Sequence, residues 1–390
     1  LLGVSGACPI RHFDASDFKT KFACEINDFN ILNWVELKEA RKMDLFSQYA
    51  IAAADEAVKD SKIDLNTIDL EKVGVIFGTG MGGHTSLFEE CEKYILEGEG
   101  VPQFSPFIIT KVIGNIAAGH IAIRYGFKGL NFTTSSACAS SANAIADAFN
   151  YIRLGKANII VAGGSEAPIN RLSVAGFNAM QAISRRNDDP TTASRPFDKG
   201  RDGFVMGEGA GAIILESLDH ALARNATIYA EIVGAGLSAD AYHITSPHPQ
   251  GEGAKLAMKN ALEDAELPIE SINHINMHGT STPQGDITEI KAIMSLFQEH
   301  TYAIKLTAVK SMIGHLLGAA GVVEAIATVL SIKNDIIPPT INHFELDDEF
   351  DKNLNFVFNL PQKHKVNVAI SNSFGFGGQN TSLVFKKYEY

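Results

Sequence analysis

The chain has 390 residues, 45% of them hydrophobic and 20% charged, with a formal net charge of −12. This is the composition of a globular protein with a large core, too long for one typical domain. The acidic balance, with a pI of about 5.5, argues against nucleic acid as the main partner.

Residues 1–45 mix aromatic and charged side chains without a period and read as irregular. The opening Leu1-Leu2-Gly3 follows no start signal, so an opening segment is expected to be missing. Cys8, Cys24, Cys91 and Cys138 are scattered, with no CxxC pair and no metal-ligand spacing, which points to a reducing compartment. No apolar run reads as long enough to cross a membrane.

Ser47 to Asp60 carries the spacing of an amphipathic helix, and a polar turn from Ser61 to Asn66 follows. Val73 to Phe77 is a short apolar strand running into the glycine loop Gly78 to Gly83. That loop lacks the Gly-Lys-Ser/Thr ending, so nucleotide binding is rejected. Asn131 to Ala137 reads as a strand leading to Cys138. The run Ala139 to Leu154 holds no Gly or Pro and stops at Gly155, as a helix does. It is small and apolar nearly all round, hence buried. Cys138 sits at its N-terminus, where free N–H groups and the helix dipole favour a thiolate. A lone buried cysteine also serves often as a small hydrophobe, so this stretch alone leaves both readings open. Asn158 to Ala162 is a buried strand closed by Gly163-Gly164, and Gly211 to Glu216 is another. Between them, residues 184–211 form a polar loop, either functional or a solvated excursion.

The second half repeats the first. Ala57 to Asp64 matches Ala261 to Pro268, and Val73 to Thr79 matches His274 to Thr280. The strand before Cys138 matches Ile304 to Ala308, and the helix after it matches His315 to Ile332. Ala212 to Leu215 matches Ser382 to Phe385. Two copies of one α/β unit follow, residues 1–225 and 226–390, with mainly parallel strands and helices on both faces. Packed through their buried helices they form five layers, α/β/α/β/α. Cys138 and His315 then lie at the inner ends of equivalent helices, and His278 at a strand end, so the three can converge.

His278 stands in His278-Gly279-Thr280-Ser281-Thr282. His315 stands in Lys310-Ser311-Met312-Ile313-Gly314-His315-Leu316-Leu317-Gly318, with Glu324 beyond it. With Ala137-Cys138-Ala139-Ser140, Ala193 to Asp198, Arg201 to Val205 and Asn372 to Gly378, these motifs resemble the β-ketoacyl-acyl carrier protein synthases, elongating enzymes with the thiolase fold. The likeness is strongest to the type II enzyme and covers essentially the whole chain. A Cys-His-His set separates this group from the priming synthases.

The resemblance implies an acyltransferase that condenses an acyl-enzyme with malonyl-acyl carrier protein in fatty acid elongation. It implies Cys138 as nucleophile, His278 and His315 as enolate stabilisers, and Lys310 and Glu324 as groups that orient the site. Phe376 would supply an oxyanion N–H and the gate. Thr280 and Thr282 would hold the pantetheine arm, with Met81, Phe374 and Ile108 against the substrate. Lys38, Arg41 and Lys42 match the carrier-protein patch. No metal or cofactor of its own is implied, since the carrier brings the phosphopantetheine. A homodimer is implied, with residues 105–111 closing the partner's acyl pocket, in the cytoplasm or an organelle lumen.

Ser136, Ser141 and Gln379 depart from the family pattern, and Pro102-Gln103 and Gln181 stand where basic carrier contacts are usual. A degradative thiolase needs a second cysteine near the C-terminus, and none follows Cys138. A polyketide-type ketosynthase and a non-catalytic chain-length-factor-like partner are the remaining alternatives.

Overall fold

Val73-Gly74-Val75-Ile76-Phe77 is apolar on both faces, and such a strand is stable only between two covering layers. The computed structural model describes residues 2–97 and 103–389 and supplies those layers. The first sheet holds β1 (Val73–Gly78), β2 (Asn131–Phe132), β3 (Ile159–Glu166) and β4 (Gly209–Glu216), in the order β2-β1-β3-β4. The second holds β5 (Glu231–Ala239), β6 (His274–Asn276), β7 (Lys305–Thr307), β8 (Val368–Gly375) and β9 (Gln379–Lys386), in the order β5-β9-β8-β6-β7. The pairs around β1 and β6 are parallel, whereas β4 and β9 run antiparallel to their neighbours. The sheets are therefore mixed, with four of the seven strand pairings parallel and three antiparallel. β3 continues through Gly163-Gly164 to Glu166 instead of closing there.

Six of the helices among the described residues cover these sheets: α1 (Leu45–Ser61), α2 (Ile116–Tyr125), α3 (Ser140–Arg153), α4 (Glu252–Asp264), α5 (Pro283–Phe297) and α6 (Ala320–Asn334). Strand alternation sorts the core into three slabs. Val73, Val75 and Phe77 of β1 pack with α1 and α2 on one outer face. Ile76 faces inward with Ala142 and Ile145 of α3, Val322 and Ala325 of α6, and Ala369 of β8. Val368 and Ile370 of β8 pack with α4 and α5 on the other outer face. The order is α/β/α/β/α.

Small residues let α3 and α6 fill the middle layer. A Cβ on Gly321 would come within 2.8 Å of the Ala142 Cβ, closer than packed carbons allow. Leu317–Asn334, which contains α6, is also long and apolar enough to pass for a membrane span by length alone. It is the central core helix, mostly buried between the two sheets, although its hydropathy passes the membrane test that no run was expected to meet.

The internal repeat is visible in the backbone. α1 ends on Lys62 (φ 54°), and the residue that matches it after α4, Glu266, has φ 53°. Gly155 (φ 66°) and Asp335 (φ 53°) occupy the equivalent positions after α3 and α6. The strands, however, match one residue away from the expected register: Ile275 and Met277 pack on the outer face as Val75 and Phe77 do, so His274 takes the place of Gly74. Both strands are buried on both faces, so no polar alternation fixes their register.

The second correction concerns His315. Tight turns, Ala137–Ala139 and Leu317–Ala319, precede α3 and α6, and each opens on a left-handed residue, Ala137 (φ 50°) and Leu317 (φ 47°). The equivalent of Cys138 is thus Gly318. His315 lies before the turn, in a stretch that runs from Thr307 to Leu317 where the first half needs only Phe132 to Ala137. This longer connection carries both Lys310 and His315.

Candidate active site

The nucleophile turn is built from local hydrogen bonds. Ser140 Oγ donates to the Ala137 carbonyl (2.7 Å) and accepts from Ser136 N–H (2.9 Å), while Thr134 Oγ1 donates to the Ser140 carbonyl (2.7 Å). These bonds hold Cys138 directly after Ala137, whose strained left-handed backbone makes the corner between β2 and α3. The thiol is buried, and burial pushes its pKa up to about 11, although Lys310 and the Phe376 backbone N–H act the other way. Burial thus favours the thiol, against the thiolate that the helix end was expected to favour.

His278 follows β6 on a loop fixed from below by Glu289 of α5. That buried carboxylate accepts the N–H groups of His278 (2.8 Å) and Gly279 (2.8 Å) and the Asn372 amide (3.2 Å). Residues 184–211 turn out to be a largely buried clamp, not a solvated excursion. His315 N–H donates to the Val205 carbonyl (2.7 Å), Gly207 N–H donates back to the His315 carbonyl (2.9 Å), and Ser194 Oγ donates to the Lys310 carbonyl (2.7 Å).

The two imidazoles stand edge to face, with centroids 5.3 Å apart, and Phe204 packs against His315 and Phe374 against His278. Burial and then the Lys310 ammonium hold both histidines well below their ordinary pKa, so both are neutral at neutral pH. Lys310 Nζ lies 3.4 Å from His278 Nδ1 and is ion-paired with Glu324. Nδ1 therefore accepts, and the proton of His278 is carried on Nε2. Burial pushes Glu324 up to about 7, against the pull of Lys310.

One cavity of about 510 Å³ collects these groups: Cys138, His278, His315, Thr280, Thr282, Met81, Phe374 and Phe376 all line it. The Thr280 and Thr282 hydroxyls are 3.0 Å apart on its wall. Phe376 is 36% exposed and is followed by Gly377 (φ 85°) and Gly378 (φ 69°), backbone that only glycine adopts without strain. Lys310 and Glu324 stand behind the wall. Ile108, in the short helix Ile108–Val112, does not line the cavity of its own chain.

Lys38 and Arg41 are exposed near this helix, while Lys42 is half-buried, pairs with Glu39 (2.6 Å) and lies 5.7 Å from the Phe107 ring. Gln103 and Gln181 are exposed, and Pro102 lies outside the described residues.

Sequence reasoning missed Glu289 and Glu166. The signal for Glu289 was present: with Asp286 it occupies the apolar face of α5 that carries Ile290, Ile293 and Phe297. Glu166 ends an otherwise uncharged buried strand.

The same residues answer to known proteins. The family model "Beta-ketoacyl synthase, N-terminal domain" matches residues 12–221, and "Beta-ketoacyl synthase, C-terminal domain" matches 229–344. A 3-oxoacyl-[acyl-carrier-protein] synthase 2 of Synechocystis sp. is 48% identical over 387 residues, covering 99% of this chain and 92% of that protein. The solved ishigamide ketosynthase/chain length factor superposes with TM-score 0.91 at 34% identity, covering 100% of this chain and 93% of that one. The ketosynthase AntDE, solved with its acyl carrier protein AntF, gives TM-score 0.91 at 31% identity, with 99% and 93% covered. With family models over both halves and a relative of this identity along nearly its full length, the chain belongs to the β-ketoacyl synthase family and has its thiolase fold.

Proposed function

We infer that this chain is a 3-oxoacyl-acyl carrier protein synthase of fatty acid elongation. The observation that carries the reading is the meeting of a buried thiol with two neutral histidines in one cavity. The enzyme is an acyltransferase with no cofactor of its own. Carrier protein delivers both substrates as thioesters on its phosphopantetheine arm.

In the first half-reaction Cys138 sulfur attacks the acyl thioester carbonyl. The C–S bond to the pantetheine breaks, and the departing sulfur takes the proton that Cys138 gives up. The N–H groups of Cys138 and Phe376 serve the oxyanion. In the second, malonyl thioester loses carbon dioxide, and the C–C electron pair becomes an enolate. His278 and His315 donate to its oxygen, a task for neutral imidazoles carrying Nε2–H. The enolate carbon attacks the Cys138 thioester, the new C–C bond forms, the C–S bond breaks, and Cys138 leaves as a thiolate that takes one proton from water. Lys310 fixes the tautomer of His278, and Glu324 balances Lys310. Thr280 and Thr282 hold the pantetheine arm, Phe374 and Met81 line the substrate, and Phe376 gates the acyl pocket.

The chain acts as a homodimer, with Ile108 reaching the partner's acyl pocket. Exposed Phe104, Phe107, Ile109 and Ile113, beside the short edge strand β2, support this. Carrier protein docks on Lys38, Arg41 and Lys42. The four cysteines are free, which suits a reducing cytoplasm or organelle lumen. A polyketide-type ketosynthase would use the same site, but the fatty-acid relative is the more similar, 48% against 34% or less.

The test is to mix the chain with acyl- and malonyl-carrier thioesters. A 3-oxoacyl-carrier two carbons longer, with release of carbon dioxide, supports the reading; no product from any acyl length contradicts it. Sedimentation at micromolar concentration should give the dimer mass.

A further inference from the structure

The mechanism leaves one fully buried carboxylate without a task. Glu166 ends β3 and is 0% exposed. Its oxygens accept the Thr79 hydroxyl (3.1 Å), Gly80 N–H (2.7 Å), Met81 N–H (3.0 Å) and Gly318 N–H (3.0 Å). No ion pair to it occurs among the described residues. These donors come from two places that the chemistry needs. Gly80 and Met81 are wall residues of the catalytic cavity in the first half. Gly318 belongs to the second-half turn that begins just after His315. The fit is close: a Cβ on Gly318 would lie 2.3 Å from Glu166 Oε2 and 2.3 Å from Gly80 N.

We propose that Glu166 is a positioning residue for acyl transfer: it fixes the Gly80–Met81 wall of the acyl pocket against the turn that follows His315. The repeat supports this. In the second half Glu289 accepts two successive N–H groups of the loop after β6, at His278 and Gly279. Glu166 does the same for the loop after β1, and adds Gly318 across the join between halves. The glycine loop that resembles a phosphate cradle is thereby occupied by the protein's own carboxylate. A carboxylate with this many donors is rigid, and the amide of Gln, in its better orientation, would still set an NH₂ against the Met81 N–H. The wall at Met81 would then relax, and long acyl chains would feel it more than short ones.

This inference rests on the acyl-transfer reading above. The experiment measures Cys138 acylation from carriers bearing short and long acyl chains, in wild type, Glu166→Gln and Thr79→Val. The folded fraction is read from near-ultraviolet circular dichroism. Glu166→Gln is expected to lose about tenfold in kcat/KM for the long chain, chiefly in KM, with a much smaller loss for the short one. Thr79→Val removes one donor to Glu166 and, with it, the acceptor of the Gly82 N–H in the same loop, and should show the same selectivity in weaker form. A purely structural role would lower the folded fraction and leave the chain-length profile of the folded enzyme unchanged, which overturns the proposal. If Glu166→Gln does not fold, Thr79→Val decides alone: a selective long-chain loss supports the proposal and a wild-type profile overturns it. A wild-type chain that accepts no acyl group defeats the enzymatic reading, and this one with it.

Discussion

The rings of His278 and His315 meet at 86°, with centroids 5.3 Å apart, although the two residues come from different loops. Glu289 fixes one loop and the buried 184–211 segment fixes the other. If both imidazoles donate to one thioester oxygen, removing either leaves the enolate half-stabilised. His278→Ala and His315→Ala should each lower malonyl decarboxylation by about 100-fold or more. Carbon dioxide release from malonyl-carrier is the measurement, with melting curves to show that the variants fold.

The Lys310–Glu324 pair is 1% and 0% exposed, so each charge depends on the other. Lys310→Met strands a buried carboxylate, and it should cost about 3–5 kcal/mol in denaturant unfolding. Lys310→Met with Glu324→Leu removes both charges and should recover most of that loss. Activity should not return, because His278 then lacks the group that sets its tautomer.

His274 lies in β6, buried, with neither ring nitrogen hydrogen-bonded. Burial drives its pKa from 6.5 down to about 3. A depressed histidine contributes stability that is whole above pH 6.5 and is lost as pH falls through the window toward 3. His274→Leu removes this liability and breaks no hydrogen bond. Between pH 7 and pH 5 the stability of wild type should fall by about 2 kcal/mol relative to the variant. Unfolding curves at both pH values check this; parallel loss in the two proteins contradicts it.

Met81 lines the cavity, 37% exposed, on the loop held by Glu166. Met81→Phe should keep transfer of short acyl groups to Cys138 and lose long ones, whereas Met81→Ala should keep both. Acylation rates across a chain-length series decide it. A wild-type profile in both variants removes Met81 from the acyl path.

Much of this was legible in the sequence, and the exceptions have physical causes. The apolar period of α1 and the glycine-free run of α3 were placed within a few residues, because each has a clear start and stop. Cys138, His278, His315, Lys310 and Glu324 were gathered by motif, and the fold does bring them together. The register between β1 and β6 slipped by one because strands buried on both faces carry no alternation. His315 was set on a helix end because the longer connection in the second half leaves no mark in hydropathy. Glu166 and Glu289 stayed hidden because their partners are backbone N–H groups, which every sequence has everywhere. For Cys138 a helix end can be read from sequence, whereas the upward push of burial on the thiol emerges only from the packing around the sulfur.

Replacing Cys138 by Gln separates the two half-reactions. The amide stands in for the acylated sulfur, and His278 and His315 are untouched. If the thiol carries the acyl chain and the histidines carry the enolate, Cys138→Gln forms no 3-oxoacyl product yet decarboxylates malonyl-carrier at the wild-type rate or faster. A folded Cys138→Gln protein that releases no carbon dioxide, or one that still condenses, contradicts that division of labour.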